Sequence, residues 1–183
     1  MDHINPTINA QRWADLVAEA WNRETELMVP PLILLVEDDE DSRDVLVEQF
    51  VHDGYHVAAV ADGSEALHFV RNGIQAGLEA YRPDVLVSDI RMPGISGLEL
   101  LSEIRGLMPA LPAVMMTGFG SEKLRQDALT LGCDEVLFKP LSYADLEQTV
   151  RRLLLASALV PEFNGTRKRR GEHNTTPWSP YRQ

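Results

Sequence analysis

Between Pro30 and Val160 short apolar runs alternate with longer stretches whose apolar residues recur at helical spacing. This is the pattern of a parallel sheet covered by helices on both faces. Five runs predict strands, at 32–36, 56–60, 85–88, 113–116 and 135–138. The first, third and fourth read as buried on both faces, the second and fifth as more peripheral. The stretch 42–51 sets Val45, Leu46, Gln49 and Phe50 at helical spacing before Asp53-Gly54 stops it. A second helix opens at Ser64 and carries Leu67, Val70, Ile74, Leu78 and Tyr81 on one stripe. Gly73 and Gly77 interrupt that stripe, weakening the helix or dividing it. A third runs from Leu98 through Leu101, Ile104 and Leu107 to Pro109, and a fourth from Ser121 through Leu124, Ala128 and Leu131 to Gly132, a candidate left-handed cap. The last begins with Ser142 and Asp145 in a near capping box and carries Leu146, Val150, Leu153, Leu154 and Ala158.

Two appendages flank this block, which gives an expected division into 1–30, 31–159 and 160–183. Within 9–27, Trp13, Leu16, Val17, Ala20 and Trp21 form an amphipathic stripe that Pro30-Pro31 terminates. The preferred reading is a helix docked on its own domain, with homodimerisation or binding of another protein as the alternatives. From Pro161 onward apolar residues thin out while Gly, Asn, Thr and Pro accumulate, so the tail is expected to be disordered.

Charge divides along the same lines. The chain of 183 residues has Lys+Arg 17 against Asp+Glu 28, a net −11. That balance repels phosphate backbones and anionic lipid, although the tail alone is basic. The single cysteine, Cys133, excludes a disulfide scaffold and a cysteine zinc cage, and fits a reducing compartment. No apolar run is long enough to span a membrane and no secretory core opens the chain, so a cytoplasmic protein is expected. His3, His52, His56, His68 and His173 show no ligand-like pairing, and Cys133 reads as a small buried hydrophobe.

Loops that leave the C-terminal edges of parallel strands build the binding site in such folds. Here the first strand ends in Glu37-Asp38-Asp39, the third in Asp89, the fourth in Thr117-Gly118 and the fifth in Lys139-Pro140. Carboxylates gathered on one rim repel one another and are made tolerable by a hard divalent cation. Mg²⁺ fits best, because it takes oxygen ligands and commonly completes its shell with a phosphoryl oxygen. Lys139 then supplies a cation for the same phosphoryl group.

With these residues in place, LLVEDD at 34–39, VSDIRMPGISG at 87–97, Met116-Thr117-Gly118 and Phe138-Lys139-Pro140 resemble the receiver domain of two-component response regulators, over about 31–159. The resemblance implies an α/β, flavodoxin-like (βα)5 fold with a doubly wound parallel sheet, here with an extra N-terminal helix. It implies that Asp89 is the phosphoacceptor for a phosphohistidine donor. Glu37, Asp38, Asp89 and the backbone carbonyl of Arg91 would hold Mg²⁺. Thr117 would turn its hydroxyl to the phosphoryl group, and Lys139 would pair with it, aimed by a cis Pro140. Asp39 is left a solvated or supporting role, and Gly94 and Gly97 are read as turn residues. The implied partner is a sensor histidine kinase or a histidine phosphotransfer protein. The family's switch aromatic corresponds to Val136, with Phe138 and Phe119 as the nearby rings. Arg91 and Phe119 match variable positions that tune dephosphorylation. Only 24 residues follow position 159, so a stand-alone receiver with no DNA-binding domain and no membrane association is expected, a signalling domain rather than a turnover enzyme.

Two rivals remain at this stage. A haloacid-dehalogenase-like Mg²⁺-dependent phosphatase also uses an aspartate nucleophile, but it expects a second Asp where this chain has Arg91. Nucleic-acid binding through Arg167-Lys168-Arg169-Arg170, with Trp178 and Tyr181 nearby, is set against a simple basic tail.

Overall fold

The computed structural model describes residues 30–77, 82–118 and 120–159. The amphipathic stripe of 9–27, the basic tail, Leu78, Tyr81 and Phe119 lie outside the described residues. Strands and helices alternate throughout: β1 (Leu32–Val36), α1 (Glu40–His52), β2 (His56–Val60), α2 (Gly63–Ala76), β3 (Val85–Asp89), α3 (Gly97–Leu107), β4 (Ala113–Thr117), α4 (Glu122–Thr130), β5 (Glu135–Phe138) and α5 (Tyr143–Leu159). All strand pairs are parallel and the sheet order is β2-β1-β3-β4-β5. The expected flavodoxin-like fold is therefore observed, with β2 and β5 on the edges and the three central strands buried along their whole length.

The period of two in an extended chain sends alternate residues to opposite faces. On β1, Leu34 and Val36 join Leu67, Leu101 and Ile104 under α2, α3 and α4. Ile33 and Leu35 join Phe50, Leu146 and Val150 under α1 and α5. Two apolar layers thus sandwich the sheet, each fully buried Leu or Ile contributing about 2 kcal/mol by area removed from water. Among the described residues no helix is long and apolar enough to cross a membrane.

Side chains close the ends of the elements. Asp39, Asp62, Ser96 and Ser121 accept backbone N–H bonds as N-caps of α1, α2, α3 and α4. Asp84 and Asp134 each accept a strand N–H, from Leu32 and Ala113 respectively, both at 2.8 Å. Arg105 on α3 donates to the carbonyls of Leu111 and Gly132, tying that end of the sheet together. Gly132 carries the left-handed backbone expected of it, with φ of 88°.

Some helix faces differ from the periodic reading. Gly73 lies buried inside a continuous α2, which stops at the left-handed Gly77. Val45, Ile74, Leu107 and Leu131, which the spacing assigns to buried stripes, are exposed. The reason is geometric: a helix on a flat sheet buries a narrow stripe, and residues at its margins or in its last turn lie past the edge of the sheet.

Cys133 is buried between β4 and β5, its sulfur 2.8 Å from the Glu135 carbonyl oxygen. Burial pushes its thiol pKa up to about 11. The folded chain therefore holds this proton more tightly than the unfolded one. The resulting stability is complete below about pH 8.5 and is lost as the pH rises toward 11. Alkylation of Cys133 at pH 8, followed by intact mass, is expected to be far slower than for a free thiol and to accelerate only with denaturant. Free-thiol rates in native buffer would contradict the buried placement.

Candidate functional site

The C-terminal ends of β1, β3 and β5 meet at one pocket. Glu37 and Asp38 follow β1 directly, Asp89 is the last residue of β3, and Lys139 follows β5. Carboxylate oxygens of Glu37, Asp38 and Asp89 all lie within 4.8 Å of one another. The Lys139 ammonium donates to Glu37 Oε2 at 2.7 Å and to Asp89 Oδ2 at 2.6 Å. The second oxygen of Asp89, Oδ1, accepts the backbone N–H of Arg91 at 2.8 Å. Thr117 is fully buried at the last position of β4, one residue beyond Met116, the register partner of Asp89.

Electrostatics decide what this pocket tolerates. Glu37 is 1% exposed, and that burial raises its carboxyl above the usual range despite the hydrogen bond and charge of Lys139. Burial alone would pull the Lys139 ammonium down, but the hydrogen bonds and charges of Asp89 and Glu37 outweigh it and hold the group above its ordinary value. One cation thus faces three carboxylates. The donor set is all oxygen and carries excess negative charge, so the residues present fit a small hard divalent cation better than a soft one.

Local structure holds the acids in place. The Glu37 N–H donates to the Val60 carbonyl at 3.2 Å, and the Glu37 carbonyl accepts Arg43 Nη1 at 2.8 Å. Asp39 caps α1 by accepting the Ser42 N–H at 2.8 Å. These bonds to Ser42 keep its carboxyl below the usual range. The supporting role left to Asp39 is thus a helix cap. Arg43 gives no signal in the sequence, because its target is a backbone carbonyl that only the turn brings near.

The expected residues Glu37, Asp38, Asp89 and Lys139 are brought together, and the Lys139–Pro140 peptide bond is cis as the resemblance implies. Gly94 is a turn residue with φ of 74°. Gly97 has a different reason to be glycine: a β-carbon there would stand 2.1 Å from the Asp89 carbonyl oxygen. Val136 is packed in the core beneath α3 and α4. The Phe138 ring instead lies 42% exposed, against the backbone of Gly120, where a β-carbon would meet it at 1.8 Å.

Comparison with known proteins agrees with this geometry. A model of the response regulator receiver domain family matches residues 33–151. The transcriptional activator protein PfeR of Pseudomonas aeruginosa is 38% identical over 124 residues, which cover 68% of this chain and 38% of that protein. The response regulator MprA of a Mycobacterium species is 34% identical over 126 residues, covering 69% and 51%. The chain therefore spans about half or less of the length of these curated relatives. Among solved structures, a CheY-like receiver domain protein of Methanospirillum hungatei superposes with a TM-score of 0.64 at 26% identity, covering 70% of this chain and 96% of that one. FixJ-N gives 0.60, also at 26% identity, with 70% and 96% covered.

Proposed function

Since the chain belongs to the response regulator receiver domain family, we propose that Asp89 accepts a phosphoryl group from a phosphohistidine on a sensor histidine kinase or a histidine phosphotransfer protein. A carboxylate oxygen of Asp89 attacks phosphorus in line, the P–N bond to the donor imidazole breaks, and the imidazole leaves with the bonding pair. The product is an aspartyl phosphate. The observation that carries this reading is the Lys139 ammonium bridging Asp89 and Glu37, with Asp38 beside them.

Each residue has a role that its position supports. Lys139 stays beside Asp89 and pairs with a phosphoryl oxygen as charge arrives. The Arg91 N–H fixes the carboxylate plane by holding Oδ1. Thr117, at the neighbouring strand end, donates its hydroxyl to the phosphoryl group and draws its loop with it. Glu37, Asp38, Asp89 and the backbone carbonyl of Arg91 would hold Mg²⁺, which when bound neutralises phosphoryl charge during transfer. The phosphatase rival is not favoured, since Arg91 stands where its second aspartate belongs. The domain signals through protein partners, and its chemistry on phosphate ends with the making and hydrolysis of its own acyl phosphate.

Incubation of the full chain with a small acyl phosphate and Mg²⁺ tests the proposal. Intact mass is expected to show one phosphoryl adduct, and reductive cleavage of the acyl phosphate followed by peptide mapping is expected to place it on Asp89. An adduct on another residue, or none, would overturn the assignment.

A further inference from the structure

Val45, Glu48, Gln49 and His52 follow one another at i, i+3, i+4 and i+7 along α1, and with Asp53 and Tyr143 they line a groove of about 460 Å³ between α1 and α5. Its wall is built rather than incidental. Tyr143 donates to Asp53 Oδ2 at 2.9 Å and packs its ring edge-on against Phe50 at 5.2 Å. His52 Nδ1 lies 3.1 Å from Asp53 Oδ1. Val45 is 53% exposed at the other end, an apolar side chain left in water.

The chain preceding the sheet starts beside this groove. The Pro31 carbonyl accepts the His56 N–H at 2.9 Å, and Leu32 pairs in register with His56. Residue 31 therefore stands at the turn that follows His52 and Asp53. Everything before Pro30 must leave from there, carrying the stripe of Trp13, Leu16, Val17, Ala20 and Trp21. Helical rise makes the two tryptophans about 12 Å apart, close to the roughly 10 Å between Val45 and His52 on α1.

We propose that residues 9–27 fold back as a helix into the α1–α5 groove, running in the same sense as α1, with Trp21 at the His52 end and Trp13 toward Val45. Two large aromatic side chains then gain an apolar surface within the same chain, and Val45 is covered. The occupant is set by tethering: four residues, 28–31, separate the segment 9–27 from the start of the sheet, so its local concentration at the groove far exceeds that of any separate partner.

Tryptophan fluorescence of the full chain tests this. In a Trp178→Phe background only Trp13 and Trp21 emit. Their emission is expected to be blue-shifted and shielded from acrylamide at all protein concentrations. Val45→Glu places a charge in the groove at an exposed position that folding does not need, and Gln49→Arg does so with the opposite sign. Both variants are expected to raise quenching to the level of a free peptide spanning residues 1–29, with circular dichroism of the domain and phosphoryl labelling at Asp89 unchanged. Free-peptide quenching in the parent chain would overturn the proposal. So would shielding that both variants leave intact, which places the segment elsewhere, or shielding lost on dilution, which assigns the groove to a second copy.

Discussion

Asp89→Asn is expected to abolish the phosphoryl adduct formed with an acyl phosphate and Mg²⁺ while leaving the fold about as stable as before. The amide has no anionic oxygen to attack phosphorus, so the loss is complete rather than graded. Its carbonyl oxygen can still accept the Arg91 N–H that Asp89 Oδ1 accepts at 2.8 Å, and Lys139 keeps its 2.7 Å bond to Glu37. What disappears is one of three mutually repelling carboxylates, and with it the 2.6 Å ion pair to Lys139, whose ammonium keeps Glu37 as a partner; the two losses oppose each other. In metal-free buffer the thermal midpoint is therefore expected close to that of the parent. The rise of that midpoint with added Mg²⁺ is expected to shrink, because the stabilisation a ligand gives falls as its affinity for the folded state falls. Calorimetry with and without Mg²⁺, beside intact mass, reads both effects. Equal labelling of the two proteins would refute the phosphoacceptor, and a collapse of stability would show that Asp89 holds the fold instead.

Gly97→Ala is expected to destabilise the domain by about 3 kcal/mol, the upper end for an overpacked core. The new β-carbon would lie 2.1 Å from the Asp89 carbonyl oxygen and 2.8 Å from the Ile90 Cα, both backbone atoms that no rotamer change can clear. The Gly97 N–H also donates to the Ile90 carbonyl at 2.9 Å, so the start of α3 cannot draw back without losing that bond. Urea denaturation measures the effect, and labelling is expected to fall with it because the displaced residue is the one before Ile90. Gly106→Ala, nine residues along the same helix with open space around it, is expected to go the other way by up to about 1 kcal/mol. Similar shifts for both would falsify the close-contact explanation.

The two glycines also show where sequence reasoning stops. The three central strands could be read closely because a strand buried on both faces has to be mostly apolar, as 32–36 is throughout. The site could be read because Glu37, Asp38, Asp89 and Lys139 each sit at a strand end, and in a parallel sheet all those ends share one rim. Residues whose reason is a distant backbone atom could not be read. Gly97 looks like a turn residue until the Asp89 carbonyl is seen beside it, and Arg43 looks like a solvated charge until it meets the Glu37 carbonyl. Val45 fails differently: its helical spacing is right, but spacing alone does not say how far around a helix the sheet extends.

The bond from Lys139 to Glu37 joins residues 102 positions apart. During synthesis β1 through β4 emerge before the lysine does, and until then the acids of the first and third strands have no ammonium between them. On the role proposed for Lys139, competence to be charged with phosphate belongs to the finished domain alone, and a chain stalled before β5 would stay silent to its donor.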